Sequence, residues 1–342
     1  MIRAAVLGVG SIGQHHARIY NELDGVELVA VADPDETRRL LAARRFKVPT
    51  YASHAELLAA EQLDVVSVTV PTALHHEVAL CAIEHGVHLL VEKPIANTLA
   101  EAEEIIRQAA ACGLTLTVGH IERFNPAVVE LKRRLADEEL GRIFQIQSRR
   151  LSPFPRYVLD VGVVMDLATH ELDIMRYLLD SEVSRLYAEV GRNVHAAHED
   201  MLSAILRFAN GAVGVLDINW LTPTKIRELR ITGERGMFMV DYLHQDLYYY
   251  ENIEAPSRWD TLALFRGVEE GDVLKLRVNK TEPLERELRA FVNAVAEHSP
   301  PVVSGEDGRR ALILARALLA SSVAGQVLGV GPSGLFHTSQ QP

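Results

Sequence analysis

The feature that most constrains the fold is a glycine-rich turn in the stretch AAVLGVGSIGQHHARIY. The run Ala4–Leu7 has the short apolar composition of a buried parallel strand. Three glycines follow with the spacing G-x-G-x-x-G, namely Gly8, Gly10 and Gly13. The first glycine allows a tight turn, the second lets the backbone approach a diphosphate, and the third lets a helix pack closely on the strand. The pattern predicts a dinucleotide-binding turn, with Ser11 and Ile12 in the first turn of a helix whose free N–H groups face the diphosphate.

The acidic residue Asp33 supports this prediction. It ends the second apolar run, Leu28–Ala32, about twenty residues after the last glycine, where a carboxylate accepts hydrogen bonds from an adenosine ribose. A carboxylate at that position repels a 2′-phosphate, so NAD is favoured over NADP, although Arg38 and Arg39 one helical turn later weaken the preference. The alternative is an ordinary βαβ turn that binds no ligand.

Strand and helix patterns alternate through residues 1–120, which predicts an α/β domain with a parallel sheet covered on both faces. The expected strands are 2–7, 27–32, 65–70, 87–91 and 115–118, and the expected helices are 12–23, 35–45, 53–60, 75–85 and 99–112. Ligands of such sheets bind beyond the carboxyl ends of the strands. Besides the glycine turn and Asp33, the expected cofactor contacts at these ends are Pro71, Thr72, His75, Glu92 and Lys93.

Lys93 stands in the triplet Glu92-Lys93-Pro94, directly after the apolar strand VHLLV. Pro94 keeps the chain out of a helix and biases Lys93 to an extended conformation, so we expect Lys93 at the mouth of the cofactor cleft. A lysine after a strand is most often a solvated surface residue. Its position at the same sheet edge as the dinucleotide turn favours a functional role here.

The pattern changes near residue 120, where we place a domain boundary. Asn125 and Pro126 have the residue types of an N-cap and a first helical position. From residue 184 onward, short alternating runs joined by turns such as Asn210-Gly211 predict a mainly antiparallel sheet. One face of that sheet is either wet or covered by a second subunit, which predicts a homodimer or homotetramer. We expect the second domain, of the α+β class, at 121–330 and a loosely held tail at 331–342.

The densest group of polar side chains lies on a helix expected at about 163–179. Asp166, His170 and Asp173 share one face of that helix. An aspartate one turn from a histidine can orient its ring and raise its proton affinity, which suits proton transfer. A solvated acidic face with an incidental histidine is an equally good interpretation. A metal site is disfavoured because no third or fourth ligand is evident, and no metal is expected.

The composition excludes several classes of function. The net charge of −11, from 35 basic and 46 acidic residues, argues against nucleic-acid binding, which needs a basic face. No apolar run is long enough to cross a membrane, and the chain enters its first strand at once, so neither an anchor nor a leader is expected. Cys81 and Cys112 are interpreted as free thiols of a cytoplasmic protein.

Some arginines are grouped locally on this acidic chain. Arg149, Arg150 and Arg156 precede the acidic helix, and Arg123 stands near the domain junction. Local cations of this kind suit an anionic substrate group such as a diphosphate. The alternative for each arginine is an ion pair at the protein surface.

Together, the segments GVGSIGQHH, VPTALHH, VEKPIA and DLATHELD resemble the Gfo/Idh/MocA family of NAD(P)-dependent oxidoreductases over about residues 1 to 330. The resemblance implies a Rossmann domain followed by an α+β domain with a large open-faced sheet. It also implies hydride transfer from a carbinol carbon of a sugar or cyclitol to the nicotinamide. By the same resemblance, Lys93 is the catalytic lysine, and Asp166 and His170 handle the proton of the hydroxyl.

Within that family, GHIERFNPAV and RRLSPFPR are most similar to enzymes that oxidise nucleotide-activated amino sugars. This similarity implies oxidation of the 3-hydroxyl of a UDP-N-acetyl amino sugar. The expected substrate contacts are Arg123, Asn125, Arg149, Arg150, Arg156 and His170. Two alternatives stay open. One is a myo-inositol or free-sugar dehydrogenase, and the other is a sugar sensor that binds NAD(P) without catalysis.

Overall fold

The computed structural model describes residues 1–155, 161–195, 197–252, 271–331 and 336–338 of the 342-residue chain. It divides into two compact units. The first unit comprises Met1–Phe124 and Thr281–Ile313, and the second comprises Asn125–Lys280 and the residues from Leu314 onward. Each unit has its own sheet and its own hydrophobic core.

The sheet of the first unit is parallel throughout, in the order β3-β2-β1-β4-β5-β6. Its strands are β1 (Ile2–Leu7), β2 (Val26–Ala32), β3 (Thr50–Tyr51), β4 (Val65–Val68), β5 (His88–Glu92) and β6 (Leu116–Gly119). Because β2 and β4 lie on opposite sides of β1, the strand order reverses there, and a crevice for a ligand opens at such a point. The predicted Rossmann domain is confirmed.

Five helices connect these strands at the predicted places. They are α1 (Ser11–Glu22), α2 (Glu36–Phe46), α3 (His54–Ala60), α4 (His75–Glu84) and α5 (Leu99–Ala111). Residue types at their starts explain the bounds. The Asp35 carboxylate accepts hydrogen bonds from two backbone N–H groups of α2, and Thr98 forms a reciprocal capping box with Glu101 of α5. The strand β3 was not predicted, because two residues give no recognisable period.

Residues 281–313 belong to the first unit, whereas the range expected for the second domain was 121–330, with a last helix at about 305–328 returning to the first domain. These residues form α8 (Pro283–Ala296) and the start of α9 (Gly305–Ala324). The apolar stripe of α8, which includes Leu288 and Phe291, packs in one cluster with Ala17 and Tyr20 of α1. A periodic stripe shows that a helix is half-buried but does not show which core it covers.

The second unit has a larger sheet that is antiparallel except for one parallel pair, β7 and β10. Ten strands of the described residues lie in the order β14-β13-β12-β11-β7-β10-β9-β8-β15-β16. They are β7 (Ile143–Leu151), β8 (Val183–Gly191), β9 (Met201–Phe208), β10 (Val213–Asn219), β11 (Ile226–Gly233), β12 (Gly236–Asp241), β13 (Asp246–Glu251), β14 (Val273–Leu276), β15 (Leu328–Val330) and β16 (Phe336–Thr338). The mainly antiparallel sheet is confirmed.

Burial alternates residue by residue along the central strands of this sheet, so one face is buried and the other is open. The helices α6 (Pro126–Ala136) and α7 (Thr169–Leu179) and the second half of α9 contribute to the core on the buried face. Within the predicted tail, Phe336–Thr338 form a strand that pairs with β15, while 332–335 and 339–342 lie outside the described residues. No helix among the described residues is long and apolar enough to cross a membrane.

Candidate active site

The glycine turn follows the end of β1 and has the form that the spacing predicts. Gly8 has a φ of +94°, and a Cβ on it would lie 2.9 Å from the Thr69 backbone. A Cβ on Gly13 would lie 1.9 Å from the Gly8 carbonyl oxygen, so the packing of α1 on the turn requires glycine. Among the described residues, and apart from its chain neighbours, a Cβ on Gly10 would meet only Arg38 Nη1 within 4 Å, at 3.7 Å. Space is therefore open in front of Gly10, where a diphosphate would approach the backbone.

The first turn of α1 carries the other two residues expected at the diphosphate. Ser11 and Ile12 are both exposed at the start of this helix. The N-cap is Gly10, which has no side chain to satisfy the free N–H groups of the turn. These N–H groups are therefore available to an anion, and the residues present fit a dinucleotide.

Asp33 stands at the end of β2, where the ribose contact was predicted. Its carboxylate is 3% exposed and accepts hydrogen bonds from the N–H groups of Val9 and Asp35, both at 2.9 Å. Because a carboxylate has about four acceptor sites, Asp33 retains capacity for ribose hydroxyls. Arg38 Nη1 lies 3.7 Å from Asp33 Oδ2, whereas Arg39 donates to the backbone carbonyls of Asp33 and Pro34 at 2.7 and 2.9 Å.

Two further segments follow strand ends that align with the glycine turn. Leu7 of β1 pairs with Val68 of β4, and Val68 pairs with Val91 of β5. The segment after β4 contains Pro71, which is exposed, and Thr72, which begins a 3₁₀ turn. The segment after β5 contains the predicted catalytic lysine. The first unit therefore brings all the predicted cofactor contacts to one edge of its sheet.

His75 links these two segments to each other. The buried ring faces the carbonyl oxygen of Val70 at 3.0 Å through Nε2 and that of Pro94 at 2.9 Å through Nδ1. Burial lowers the pKa of His75, so the ring stays neutral and donates to one of the two carbonyls. These contacts give His75 a structural role beside Lys93, and direct contact with the cofactor stays a prediction.

Glu92 is the last residue of β5, and Lys93 follows it. The Glu92 carboxylate accepts hydrogen bonds from the Lys93 N–H at 3.2 Å and from the buried His16 ring at 3.2 Å. Gly119 on the neighbouring strand makes room for it, since a Cβ there would lie 2.9 Å from the carboxylate. Burial by itself raises the pKa of Glu92, but the hydrogen bond from His16 and the charge of Lys93 outweigh burial and hold that pKa below its usual value.

His16 was missed by the sequence argument. It is fully buried on α1, and its other ring nitrogen lies 3.0 Å from Ser67 Oγ. A signal was present, because His16 lies one helical turn after Gly13 and one turn before Tyr20, on the face that must pack on the sheet. A histidine on such a face needs hydrogen-bond partners in the core.

The second unit contains the predicted Asp–His pair, on a segment that is not a regular α-helix throughout. Val164–Ala168 form a π-helical turn that includes Asp166, and α7 follows with His170 in its first turn. Asp166 is half-buried and His170 is 8% exposed. The solvated acidic face is therefore the wrong interpretation. π-Helical turns inside helices are frequent at functional sites.

The start of this segment is held by an acidic side chain from the loop before β9. Glu199 Oε1 accepts a hydrogen bond from the Val164 N–H at 3.2 Å, and its carbonyl oxygen accepts one from Val163 at 2.9 Å. Gly162 makes room for this contact, since a Cβ there would lie 2.1 Å from the Glu199 carboxylate. The turn with Asp166 is thus fixed at its N-terminal end.

The predicted arginine cluster is not formed by Arg149 and Arg150. The buried Arg150 guanidinium pairs with the fully buried Glu171 carboxylate at 2.5 Å, on the face covered by α7. Arg149 points to the open face, where it lies 3.5 Å from Asp217. Adjacent residues of a strand face opposite ways, which accounts for the separation. Arg156 lies outside the described residues.

Arg123 and Asn125 both have partners inside their own units. Arg123 is 5% exposed and pairs with Asp307 at 2.9 Å, and it also donates to the Val302 carbonyl oxygen at 3.2 Å. Asn125 caps α6 and donates to the Tyr242 carbonyl oxygen at 3.2 Å. These contacts favour structural roles for both residues, and their contact with substrate stays a prediction.

Comparison with known proteins assigns the chain to a family. The family model for the Gfo/Idh/MocA oxidoreductases, described as an NAD-binding Rossmann fold, matches residues 2–120, and the model of the GFO/IDH/MocA C-terminal domain matches residues 128–239. The chain belongs to the Gfo/Idh/MocA family. It is an NAD-dependent oxidoreductase of the class that acts on CH–OH groups.

Several members of the Gfo/Idh/MocA family are similar over most of the chain. The UDP-N-acetylglucosamine 3-dehydrogenase of Acidithiobacillus ferrooxidans is 32% identical over 92% of this chain and 95% of its own. A solved structure of that enzyme has a TM-score of 0.84 at 30% identity, covering 94% of this chain and 98% of its own. The myo-inositol 2-dehydrogenase of Thermotoga maritima is 27% identical over 92% of this chain and 95% of its own.

Proposed function

We propose that this protein is an NAD-dependent sugar dehydrogenase whose substrate is a UDP-N-acetyl amino sugar, oxidised at its 3-hydroxyl. The similarity to UDP-N-acetylglucosamine 3-dehydrogenase over 92% of the chain supports this substrate class. One arrangement supports the activity. Lys93 follows the end of β5, aligned through Val68 with the end of β1 that carries the glycine turn. A lysine at this edge can reach the reacting end of a cofactor that the turn binds.

In the proposed reaction, two residues act on the substrate hydroxyl and a third orients one of them. His170 accepts the proton of the hydroxyl, because a neutral imidazole is the natural base near pH 7. Asp166 orients the imidazole, and the Lys93 ammonium donates a hydrogen bond that stabilises the negative charge developing on the oxygen. The glycine turn and Asp33 hold the cofactor at its diphosphate and ribose. Bound NAD supplies the nicotinamide that takes up the hydride.

Formation of NADH, followed by absorbance, tests the activity with UDP-N-acetylglucosamine, myo-inositol and glucose as separate substrates. We expect turnover with the UDP-sugar and a primary isotope effect when its C3 carries deuterium. Deuterium at C4 is the matched control and should leave the rate unchanged. Turnover of myo-inositol alone would favour the second candidate, which the 27% identical myo-inositol 2-dehydrogenase supports. Absence of turnover with every sugar would favour a sensor that binds NAD without catalysis.

The variant Lys93→Ala tests the assignment of the catalytic residue. We expect kcat to fall roughly 100- to 1,000-fold, as for the loss of one donor to a developing oxyanion. The Kd for NAD should change little, because the variant leaves the glycine turn and Asp33 intact. Lys280→Ala is the control, since this lysine is exposed and pairs with Asp246 at the surface. Full turnover in Lys93→Ala would contradict the assignment.

We also propose that the protein is a homodimer or homotetramer that associates through the open face of the second sheet. Half-exposed apolar side chains on this face, including Val215 and Met239, support the proposal, as does the 58% exposure of Ile205. A second copy of the chain is the natural occupant, because related open sheets of equal twist can cover each other face to face.

A further inference from the structure

A continuous chain of hydrogen bonds crosses the core of the first unit and ends at Glu92. The Tyr20 hydroxyl lies 2.8 Å from Ser67 Oγ, and Ser67 Oγ lies 3.0 Å from His16 Nδ1. His16 Nε2 lies 3.2 Å from Glu92 Oε1. Tyr20, Ser67 and His16 are each 0% exposed. Three fully buried polar side chains therefore form one hydrogen-bonded path that ends at a single carboxylate.

The chemistry of these groups gives the chain a direction. Burial raises the pKa of Tyr20, so the phenol stays protonated, and we assign its O–H as the hydrogen-bond donor to Ser67 Oγ. When the Ser67 hydroxyl donates a hydrogen bond to His16 Nδ1, the N–H of the ring lies on Nε2, on the side of Glu92. This assignment points an N–H of His16 at Glu92 and satisfies every member of the network.

The same carboxylate contacts the residue proposed to act in catalysis. Glu92 accepts the backbone N–H of Lys93 at 3.2 Å, and Gly119 on β6 leaves the space that the carboxylate fills. Other titratable groups face this network from α4 and α8. His75 interacts electrostatically with Glu92, and the buried Glu287 interacts with Tyr20. The Glu92 carboxylate is thus hydrogen-bonded to His16 of α1 on one side and to the backbone of Lys93 on the other.

We propose that His16 is a positioning residue for catalysis, which acts by fixing the Glu92 carboxylate and, through it, the conformation of Lys93. This inference rests on the proposed catalytic role of Lys93. A merely structural network would hold α1 on the sheet, a task that apolar side chains of similar volume perform as well as buried polar ones. Termination of the network on the backbone of Lys93 is what a positioning role requires.

The two roles differ in what they change. A positioning role affects the reacting end of the site, so its loss lowers kcat and leaves the binding of NAD intact. A structural role affects the packing of α1, which carries the first turn after Gly10, so its loss weakens NAD binding together with thermal stability. Steady-state kinetics, the Kd for NAD and the Tm therefore separate them.

The substitution pair His16→Asn and His16→Gln tests the proposal, with UDP-N-acetylglucosamine or, if the panel selects it, myo-inositol as substrate. The amide nitrogen of Gln can take the place of Nε2 and donate to Glu92, whereas Asn reaches only the place of Nδ1. We expect H16N to lower kcat roughly 10- to 100-fold, the cost of a displacement of about 1 Å at a reacting group. We expect H16Q to restore most of kcat and both variants to bind NAD normally.

Two further variants complete the design. Glu92→Gln should lower kcat as H16N does. The double variant that combines H16N with Glu92→Gln should have the kcat of Glu92→Gln alone, since both changes interrupt the same hydrogen-bond network. His15→Asn is the matched control, because His15 is the exposed neighbour of His16 on α1. It should leave kcat unchanged.

Two outcomes would overturn the inference while the proposed function stands. One is loss of turnover in Lys93→Ala with full kcat in H16N. The other is an equal loss in H16N and H16Q accompanied by weaker NAD binding and a lower Tm. Retained turnover in Lys93→Ala would instead overturn the proposed role of Lys93, and this inference with it.

Discussion

Asp33 anchors the backbone of the glycine turn with the same carboxylate that we propose binds the ribose. The hydrogen bond from Val9 ties the turn to β2, and the one from Asp35 fixes the start of α2. Arg38 is half-exposed and lies 3.7 Å from the same carboxylate. We therefore expect the choice between NAD and NADP to depend on the balance between the Asp33 carboxylate, which would repel a 2′-phosphate, and the Arg38 cation, which would attract one.

The substitution Asp33→Asn should shift the cofactor preference towards NADP. The amide keeps one acceptor for the Val9 N–H but removes the charge that repels a 2′-phosphate. A charge-assisted hydrogen bond contributes about 1.5–3 kcal/mol, so the ratio of kcat/KM for NAD to that for NADP should fall roughly 10- to 100-fold. Arg38→Ala is the paired control and should lower any activity with NADP. An unchanged ratio in Asp33→Asn would show that the preference is set elsewhere.

At the scale of elements, an ion pair joins the 3₁₀ turn Ile121–Phe124 to the start of α9. Asp307 accepts from Arg123, and its carboxylate also accepts from the Ser304 N–H and hydroxyl at 2.9 and 2.7 Å. Burial by itself raises the pKa of Asp307, but the Arg123 charge and these hydrogen bonds outweigh burial and lower that pKa from 3.8 to about 2. The pair holds together two segments that are distant in sequence and belong to the same unit.

This shift predicts how the free energy of unfolding depends on pH. A carboxyl whose pKa is lower in the folded state binds more protons when the chain is unfolded. Its contribution to the free energy of unfolding is therefore fully present above the unfolded pKa and is lost as the pH falls to about 2. The contribution near pH 7 is about 2 kcal/mol. Arg123→Ala should cost about 3 kcal/mol at pH 7, because it leaves a buried carboxylate without its cation.

Urea-induced unfolding of the wild type and of Arg123→Ala measures this difference at pH 7 and again between pH 4 and pH 2. We expect the difference between the two proteins to shrink as the pH falls, because protonation of Asp307 removes the interaction in the wild type. Arg133→Ala is a control, since Arg133 is exposed and forms its ion pairs at the surface of α6. A difference that stays constant with pH would assign the effect of Arg123 to packing alone.

The elements also show which parts of the fold and site a single sequence can predict. The glycine turn, Asp33 and the order of strand and helix were predictable, because each depends on spacing within one βαβ unit. The separation of Arg149 from Arg150 was predictable as well, since the period of a strand is two, but the grouping of charges along the sequence obscured it. The partner of α8 was not, because its apolar stripe fits any core. The π-helical turn at Asp166 was not predictable either, since its backbone hydrogen bonds leave no mark in the residue types.

At the scale of the whole molecule, the open face of the second sheet presents half-exposed and exposed side chains along its central strands. Its side chains form apolar rows across neighbouring strands, since Val215 pairs with Ile205 and Met239 pairs with Tyr248. Two ion pairs lie on this face, Arg149 with Asp217 and Arg230 with Glu228. Apolar rows beside internally paired charges suit association with a second copy of the same face, because paired charges reduce repulsion on contact.

The substitution Ile205→Asp should dissociate the oligomer. Ile205 is 58% exposed and lies on a central strand of the face, so association would bury the new carboxylate without a cation. Loss of one buried apolar anchor together with a buried charge should raise the Kd of self-association at least about 100-fold. Analytical ultracentrifugation measures this directly, against the 37.9 kDa mass of one chain. Val323→Asp is the matched control, since Val323 is 89% exposed on α9 and lies outside the sheet. A wild type that sediments as a monomer, or a Val323→Asp variant that dissociates equally, would rule out the open face as the interface.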